Sequence, residues 1–214
     1  MNRILVIMSL VLIFLVPGCS PGTDDSARET PGERAPVIGM TIPAGTFDAF
    51  YKGEITRIKL SDYRGKWLIL FFYPADFTFV CPTELREMAE YYDRFRKSGA
   101  EVLAISTDSA YVHRAWHEQN GAVQKVRYPM LSDRSGALSR ALGAYVADKG
   151  IAVRASFVVD PDGIIVAAEL HDESIGRSAA ELLRKLEAAV AVRAHEGDFC
   201  PAAWNPGDEM ITPK

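Results

Sequence analysis

The chain has 214 residues, 48% of them hydrophobic and 24% charged, with 24 basic against 28 acidic side chains and a formal charge of −4. This apolar content supports one sizeable core in a single domain, and the acidic balance leaves no field to hold a phosphate backbone, which argues against nucleic acid as a partner. Three cysteines, at positions 19, 81 and 200, exclude a disulfide scaffold and stand too far apart for a CxxC pair or a zinc knuckle.

Residues 1–18 read as an address. Arg3 is the only charge before Asp24, and residues 4–16 (ILVIMSLVLIFLV) are interrupted only by Ser9. At about 1.5 Å per residue, a helix of that length falls short of a hydrocarbon core roughly 30 Å thick, so a secretory signal peptide is expected rather than a membrane span. The following Val16-Pro17-Gly18-Cys19 resembles the lipobox of bacterial lipoproteins, although Pro17 departs from the usual motif. That resemblance implies lipid attachment at Cys19, export, and anchoring to a membrane. Residues 19–36 carry three Pro, two Gly and no aromatic residue, the composition of a flexible tether. A tether of this length reaches roughly 20–25 Å.

Residues 37–196 form the expected globular body. FDAFYKGEITRIKL places Lys52-Gly53 between two short alternating runs, a β-hairpin signal. Residues 67–73 (WLILFFY) are continuously apolar, as in a strand buried on both faces. Leu85, Met88, Ala89, Tyr92 and Phe95 recur at helical spacing, and Ser98-Gly99 stops that helix after a basic last turn. A strand follows at 101–106, then a helix at 110–119 that carries His113 and His117 at i, i+4. No HExxH motif accompanies the two histidines, so a metal site is not expected. Strands at 156–160 and 164–170 flank the turn Pro161-Asp162-Gly163, and an amphipathic helix spans 178–194. Residues 197–214, with three Pro and two Gly, read as an irregular tail containing Cys200. Trp116 and Trp204 are expected to pack near the two body cysteines, and His171 and His195 to face solvent. Strands alternating with helices imply an α/β domain with a mixed central sheet covered by helices on both faces. No glycine-rich phosphate loop is present, so no nucleotide site is expected.

The chemistry concentrates in FFYPADFTFVCPTEL. A buried strand ends at Pro74, a short loop follows, and Cys81 stands at the start of a helix, with Pro82 suited to its first position and Glu84 to the reciprocal position of a capping box. The sulfur then faces unpaired backbone N–H groups and the positive end of the helix dipole. Both stabilise a thiolate, the nucleophilic form of cysteine.

Pro74, Thr78 and Cys81 also fall in the P-x-x-x-T-x-x-C spacing of peroxiredoxins, and STDSAYVHRAWH, RASFVVDPDGII, IGRSAAELLRKLEA and FCPAAW continue the match. The body resembles the typical two-cysteine peroxiredoxins, in particular their alkyl hydroperoxide reductase branch. The resemblance implies a thioredoxin-like fold and a thiol-dependent peroxidase without a cofactor. Cys81 would be the peroxidatic thiol, and the Thr78 hydroxyl would bond the sulfur and the peroxide. Pro74 would shield the pocket from water. Arg154 would stand beside the thiolate, and Glu84 would orient Arg154, cap the helix, or do both. Cys200 would be the resolving cysteine that condenses with the Cys81 sulfenic acid to a disulfide. In the family that disulfide joins two subunits of a homodimer, leaving dimer or decamer open, and a thioredoxin-like or other dithiol protein reopens it. The short tail is expected to open readily, favouring the disulfide over further oxidation of Cys81. A CxxC disulfide reductase is disfavoured because Cys81-Pro82-Thr83-Glu84 holds no second cysteine. A ring assembly acting as a holdase is the reading from another class, and it would survive Cys81→Ser.

Overall fold

The computed structural model describes residues 37–214. The signal peptide, the Cys19 lipid attachment and the tether fall on residues 1–36, outside the described residues.

β1 (Thr46–Tyr51) and β2 (Glu54–Lys59) form the expected hairpin. Both residues of its turn are left-handed, Lys52 at φ 53° and Gly53 at φ 84°, which is the type I′ geometry that matches strand twist. The hairpin extends a mixed sheet with β3 (Trp67–Phe72), β4 (Ala100–Ser106), β5 (Met130–Ser132), β8 (Arg154–Val159) and β9 (Ile165–His171), in the order β2-β1-β5-β4-β3-β8-β9. β3 runs parallel to β4 and antiparallel to β8. A separate two-stranded ribbon joins β6 (Tyr145–Val146) to β7 (Ile151–Ala152).

Among the described residues four α-helices cover the sheet: α1 (Cys81–Lys97), α2 (Ala110–Gln119), α3 (Ala137–Ala141) and α4 (Ala179–Ala194). The unbroken apolar run of β3 follows from two cores. Ile69, Phe71 and Tyr73 point into one, with Leu85, Met88 and Phe95 of α1, Trp116 of α2 and Leu182, Leu183 and Leu186 of α4. Leu68, Leu70 and Phe72 point into the other, with Ile42, Leu60, Leu131, Phe157, and Leu138 and Leu142 at α3. A strand buried on both faces has no position for a polar side chain, and each fully buried Leu, Ile or Phe contributes about 1.5–3 kcal/mol. α1 ends as expected, with Ser98 and Gly99 donating back to the Arg94 and Arg96 carbonyls and Gly99 at φ 82°. The architecture is the thioredoxin-like α/β fold.

The structure adds to or departs from expectation in three places. β5, α3 and the β6–β7 ribbon are two to five residues long, too short to show a period in sequence. His171 is half-buried, and its Nδ1 is buried without a hydrogen-bond partner, rather than facing solvent; His195 is exposed. The tail is irregular but not loose. Phe199 and Ile211 exchange two backbone hydrogen bonds, the buried Trp204 donates from Nε1 to the Asp208 carbonyl at 3.0 Å, and Arg184 of α4 donates to the Trp204 carbonyl at 2.7 Å.

Candidate active site

β3 delivers the chain through the buried Pro74 into a loop that ends at Val80, and Cys81 is the first residue of α1. Pro82 takes the second helical position, where its missing N–H costs no hydrogen bond. The Cys81 side chain is fully buried, as a thiol shielded from bulk water must be.

Arg154 opens β8 one residue before Ala155, the register partner of Phe72 on β3. Antiparallel pairing therefore carries its guanidinium to the strand end from which Cys81 departs. Nη1 donates to the Cys81 sulfur at 3.3 Å and to Glu84 Oε2 at 2.6 Å, while Nε donates to the Glu173 carbonyl at 2.7 Å. Burial disfavours the Arg154 charge, but the hydrogen bond with Cys81 and the charges of Glu84 and Cys81 more than offset it.

Glu84 does not close a capping box, since Val80 is the N-cap and makes no side-chain cap bond. The Glu84 carboxylate is turned inward, at 3% exposure, because two guanidiniums hold it there. The second belongs to Arg177, which sequence reading missed although it lies in the segment IGRSAAELLRKLEA. Arg177 donates from its backbone N and its Nε to Glu84 Oε1, both at 2.9 Å, and from Nη2 to Oε2 at 3.2 Å. Its Nη1 reaches the Ala155 carbonyl at 2.7 Å, and its Cζ lies 3.6 Å from the Phe71 ring centroid. Burial pushes the Glu84 carboxyl up, yet its hydrogen bonds and attraction to Arg177, and then Arg154, outweigh that and hold it below the usual value. Burial depresses Arg177, and Glu84 compensates only in part. With Cys81 as a thiolate, the four side chains sum to zero charge, so the buried cluster is balanced only in the nucleophilic form.

Thr78 departs from expectation in one respect. Its hydroxyl donates to the Ala75 carbonyl at 2.9 Å, not to the Cys81 sulfur. Its only hydrogen is thereby used, and its lone pairs remain for an incoming O–H. Around the loop, Phe79 is 95% and Phe77 53% exposed. Trp116 packs in the same core cluster as Cys81, as expected.

Cys200 is a free thiol, as is Cys81. It docks on α4, its sulfur 3.6 Å from the Ala188 carbonyl, beside a groove of about 590 Å³ lined by Trp67, Arg184, Ala189 and Val192. Burial pushes the Cys200 thiol up, and Arg184 partly offsets that. Arg177, which contacts Glu84, lies just before α4, and Ala188 is nine residues along the helix from its first residue, Ala179, a rise of roughly 13–14 Å. A disulfide needs Cα atoms within about 7 Å, so the two thiols of one chain are apart in this state.

His113 is buried against Asp76 and the Leu131 carbonyl, and His117 lies against the Phe50 ring at 5.0 Å between centroids. Among the described residues no group of three or more His, Cys, Asp or Glu side chains is placed to hold a metal ion.

The AhpC/TSA family pattern matches residues 31–168. Alkyl hydroperoxide reductase C of Escherichia coli K12 is 48% identical over 177 residues, covering 83% of this chain and 95% of that protein. The Enterococcus faecalis AhpC crystal structure superposes with a TM-score of 0.76 at 46% identity, covering 78% of this chain and 100% of that one. The reduced Plasmodium vivax 2-Cys peroxiredoxin superposes with a TM-score of 0.79 at 31% identity, covering 84% of this chain and 95% of that one. A cysteine at the head of a helix, a guanidinium on its sulfur and this extent of similarity lead to one assignment: the chain belongs to the AhpC/TSA family, the peroxiredoxins.

Proposed function

We propose that this chain is a thiol-dependent peroxidase that reduces hydrogen peroxide and organic hydroperoxides through Cys81. The observation that carries the reading is the Arg154 guanidinium 3.3 Å from a buried cysteine sulfur at a helix N-terminus. The Cys81 thiolate attacks one peroxide oxygen and the O–O bond breaks. The sulfur keeps one oxygen as sulfenic acid, and the other leaves as alkoxide or hydroxide, taking a proton to become alcohol or water. Arg154, already on the sulfur, stabilises charge as it moves to the leaving oxygen. Thr78 accepts the O–H of the bound peroxide, and Pro74 keeps bulk water out.

Resolution needs the Cys200 thiol to displace water from the sulfenic acid. Cys81 is fully buried and Cys200 is docked along α4, so the first turn of α1 must open and the tail must leave its groove. The resolving thiol comes from a second copy of the chain, in a homodimer able to assemble further into a decamer. A thioredoxin-like or other dithiol protein then restores both thiols by exchange. Peroxide consumption with a dithiol reductant, in wild type, Cys81→Ser and Cys200→Ser, tests the scheme. Cys81→Ser should be inactive, and Cys200→Ser should complete only the first oxidation. Turnover retained in Cys81→Ser rules the mechanism out.

The signal-like composition of residues 1–18 and the Val16-Pro17-Gly18-Cys19 segment support a further reading, in which the enzyme is exported and lipid-anchored at Cys19 on an extracytoplasmic membrane face. Several acyl chains anchor stably where one does not. Mass spectrometry of the mature N-terminus should find acylated Cys19, and an unmodified Cys19 refutes the anchor.

A further inference from the structure

Beneath the loop of residues 74–80 lies a buried polar cluster that the peroxidase steps do not use. His113 of α2 is fully buried. Its Nε2 faces the Leu131 carbonyl at 3.1 Å, and its Nδ1 lies 2.7 Å from Asp76 Oδ2. A carbonyl oxygen only accepts, so Nε2 carries a hydrogen, and a single proton sits between Nδ1 and Oδ2 whichever atom holds it. The other Asp76 oxygen accepts from the Tyr73 hydroxyl at 2.7 Å. The Asp76 backbone N–H donates to Asp108 Oδ2 at 2.8 Å, an oxygen that also accepts from the Ser106 hydroxyl. Asp76 is thus pinned through both side chain and backbone. Burial pushes its carboxyl up and His113 counters only part of that, so its ionised form depends on this partner.

Two further features show what the pin holds. Phe77, the next residue, has φ 55°, a left-handed conformation that costs a non-glycine residue of order 1–3 kcal/mol and persists only where its surroundings enforce it. Trp116, one turn of α2 beyond His113, packs 6.1 Å from the Phe77 ring and 6.1 Å from the Tyr73 ring. On the other side of Asp76, the Ala75 carbonyl receives the Thr78 hydroxyl.

We propose that His113, acting through Asp76, is a positioning residue for the peroxide-binding half of the site. It fixes the backbone of residues 74–78, so that the Ala75 carbonyl aims the Thr78 hydroxyl with its lone pairs toward the peroxide O–H. The inference rests on the peroxidase reading of Cys81. The sulfur itself is served by Arg154, Glu84 and Arg177, which His113 does not touch, and that separation makes the role measurable.

The test compares two rates in the reduced full chain. One is oxidation by hydrogen peroxide, followed by stopped-flow tryptophan fluorescence. The other is alkylation by iodoacetamide, read at the Cys81 peptide by mass spectrometry, which needs the sulfur but not the Thr78 hydroxyl. His113→Leu should slow peroxide oxidation about 10- to 100-fold, the cost of a misplacement near 1 Å, while alkylation stays within about threefold of wild type. His113→Asn, whose amide can still donate to Asp76, should recover most of that loss. Tyr73→Phe removes, at nearly constant volume, a hydroxyl that lies 2.7 Å from Asp76 Oδ1 and 3.3 Å from His113 Nδ1, so it reports on the pair even where His113→Leu fails to fold. It should lose about three- to tenfold on the peroxide rate alone. Peroxide rates within about twofold of wild type in the folded variants overturn the proposal, as does an alkylation rate that falls in step with the peroxide rate. Turnover persisting in Cys81→Ser removes the peroxidase reading and this inference with it. Unchanged kinetics of the His113 and Tyr73 variants in a Cys81-dependent enzyme removes the inference alone.

Discussion

Replacing Glu84 by Gln removes the one negative charge that separates two buried guanidiniums. The Glu84 carboxylate accepts four hydrogen bonds, one from Arg154 at 2.6 Å and three from Arg177 at 2.9, 2.9 and 3.2 Å. A glutamine keeps one acceptor oxygen and turns an NH2 donor toward guanidinium donors, so at least one side of the cluster loses its partner. Removing one member of a buried ion pair costs about 3–5 kcal/mol, because the charge left behind stays desolvated. For a domain of this size each kcal/mol is worth about 2–4 °C, so the melting temperature should fall by about 6–20 °C. Acid should narrow the gap. The folded state holds the Glu84 carboxyl below its ordinary value, so its contribution is complete above an unfolded value of about 4.3 and is lost as pH falls through the lower folded value. Urea unfolding of reduced wild type and Glu84→Gln, followed by far-UV circular dichroism at neutral pH and at pH about 3, measures both effects. A neutral-pH difference under about 1 kcal/mol, the size of an exposed pair, would show that water reaches this carboxylate and that the buried charge balance is wrong.

Arg154→Met should slow peroxide reduction by about 10²–10³-fold, and Arg154→Lys should restore little, since one ammonium cannot span the sulfur, Glu84 and the Glu173 carbonyl together; recovery by Lys to near wild type would refute the fork geometry. Oxidised protein should run as a covalent dimer on a non-reducing gel, and either Cys81→Ser or Cys200→Ser should remove that band; a Cys81–Cys200 disulfide mapped within a monomer contradicts pairing between copies. Trp204→Ala should free the tail and speed disulfide formation, so intact-mass spectra at a fixed excess of peroxide should show less sulfinic Cys81 than wild type. An equal or greater sulfinic fraction would show that tail docking does not limit resolution.

How much is legible in the sequence tracks how locally each feature is encoded. The hairpin at Lys52-Gly53, the two-faced β3 and the ends of α1 are written in adjacent residues. Pro74, Thr78 and Cys81 share one short segment, a loop and the helix start that follows it, and Arg154 comes with the family resemblance. Glu84 misleads in one of its two roles because Pro82 and Glu84 after a helix start resemble a cap, whereas the partners that claim its carboxylate are Arg154 and Arg177, distant in sequence. Arg177 itself looks like one more charge before an amphipathic helix. The Asp76–His113 pair is hidden for a related reason. His113 stands near His117 at helical spacing, which suggests a shared face, and nothing local shows that one ring is buried under a distant loop and the other lies on Phe50.

The central position of β3 also decides where a redox cycle can find room. β3 is bonded along its length to β4 on one side and β8 on the other, with large side chains filling both faces. Arg154 thus opens a strand laddered to β3, while Cys81 lies beyond the loop in the first turn of α1, so strand sliding cannot shift the guanidinium without breaking ladders on both sides. The travel that brings one sulfur to another must be taken up by the first turn of α1 and by the tail. Amide exchange across a full oxidation–reduction cycle should therefore leave the middle of the sheet untouched and mark those two segments alone, a hinge whose axle is the strand that never moves.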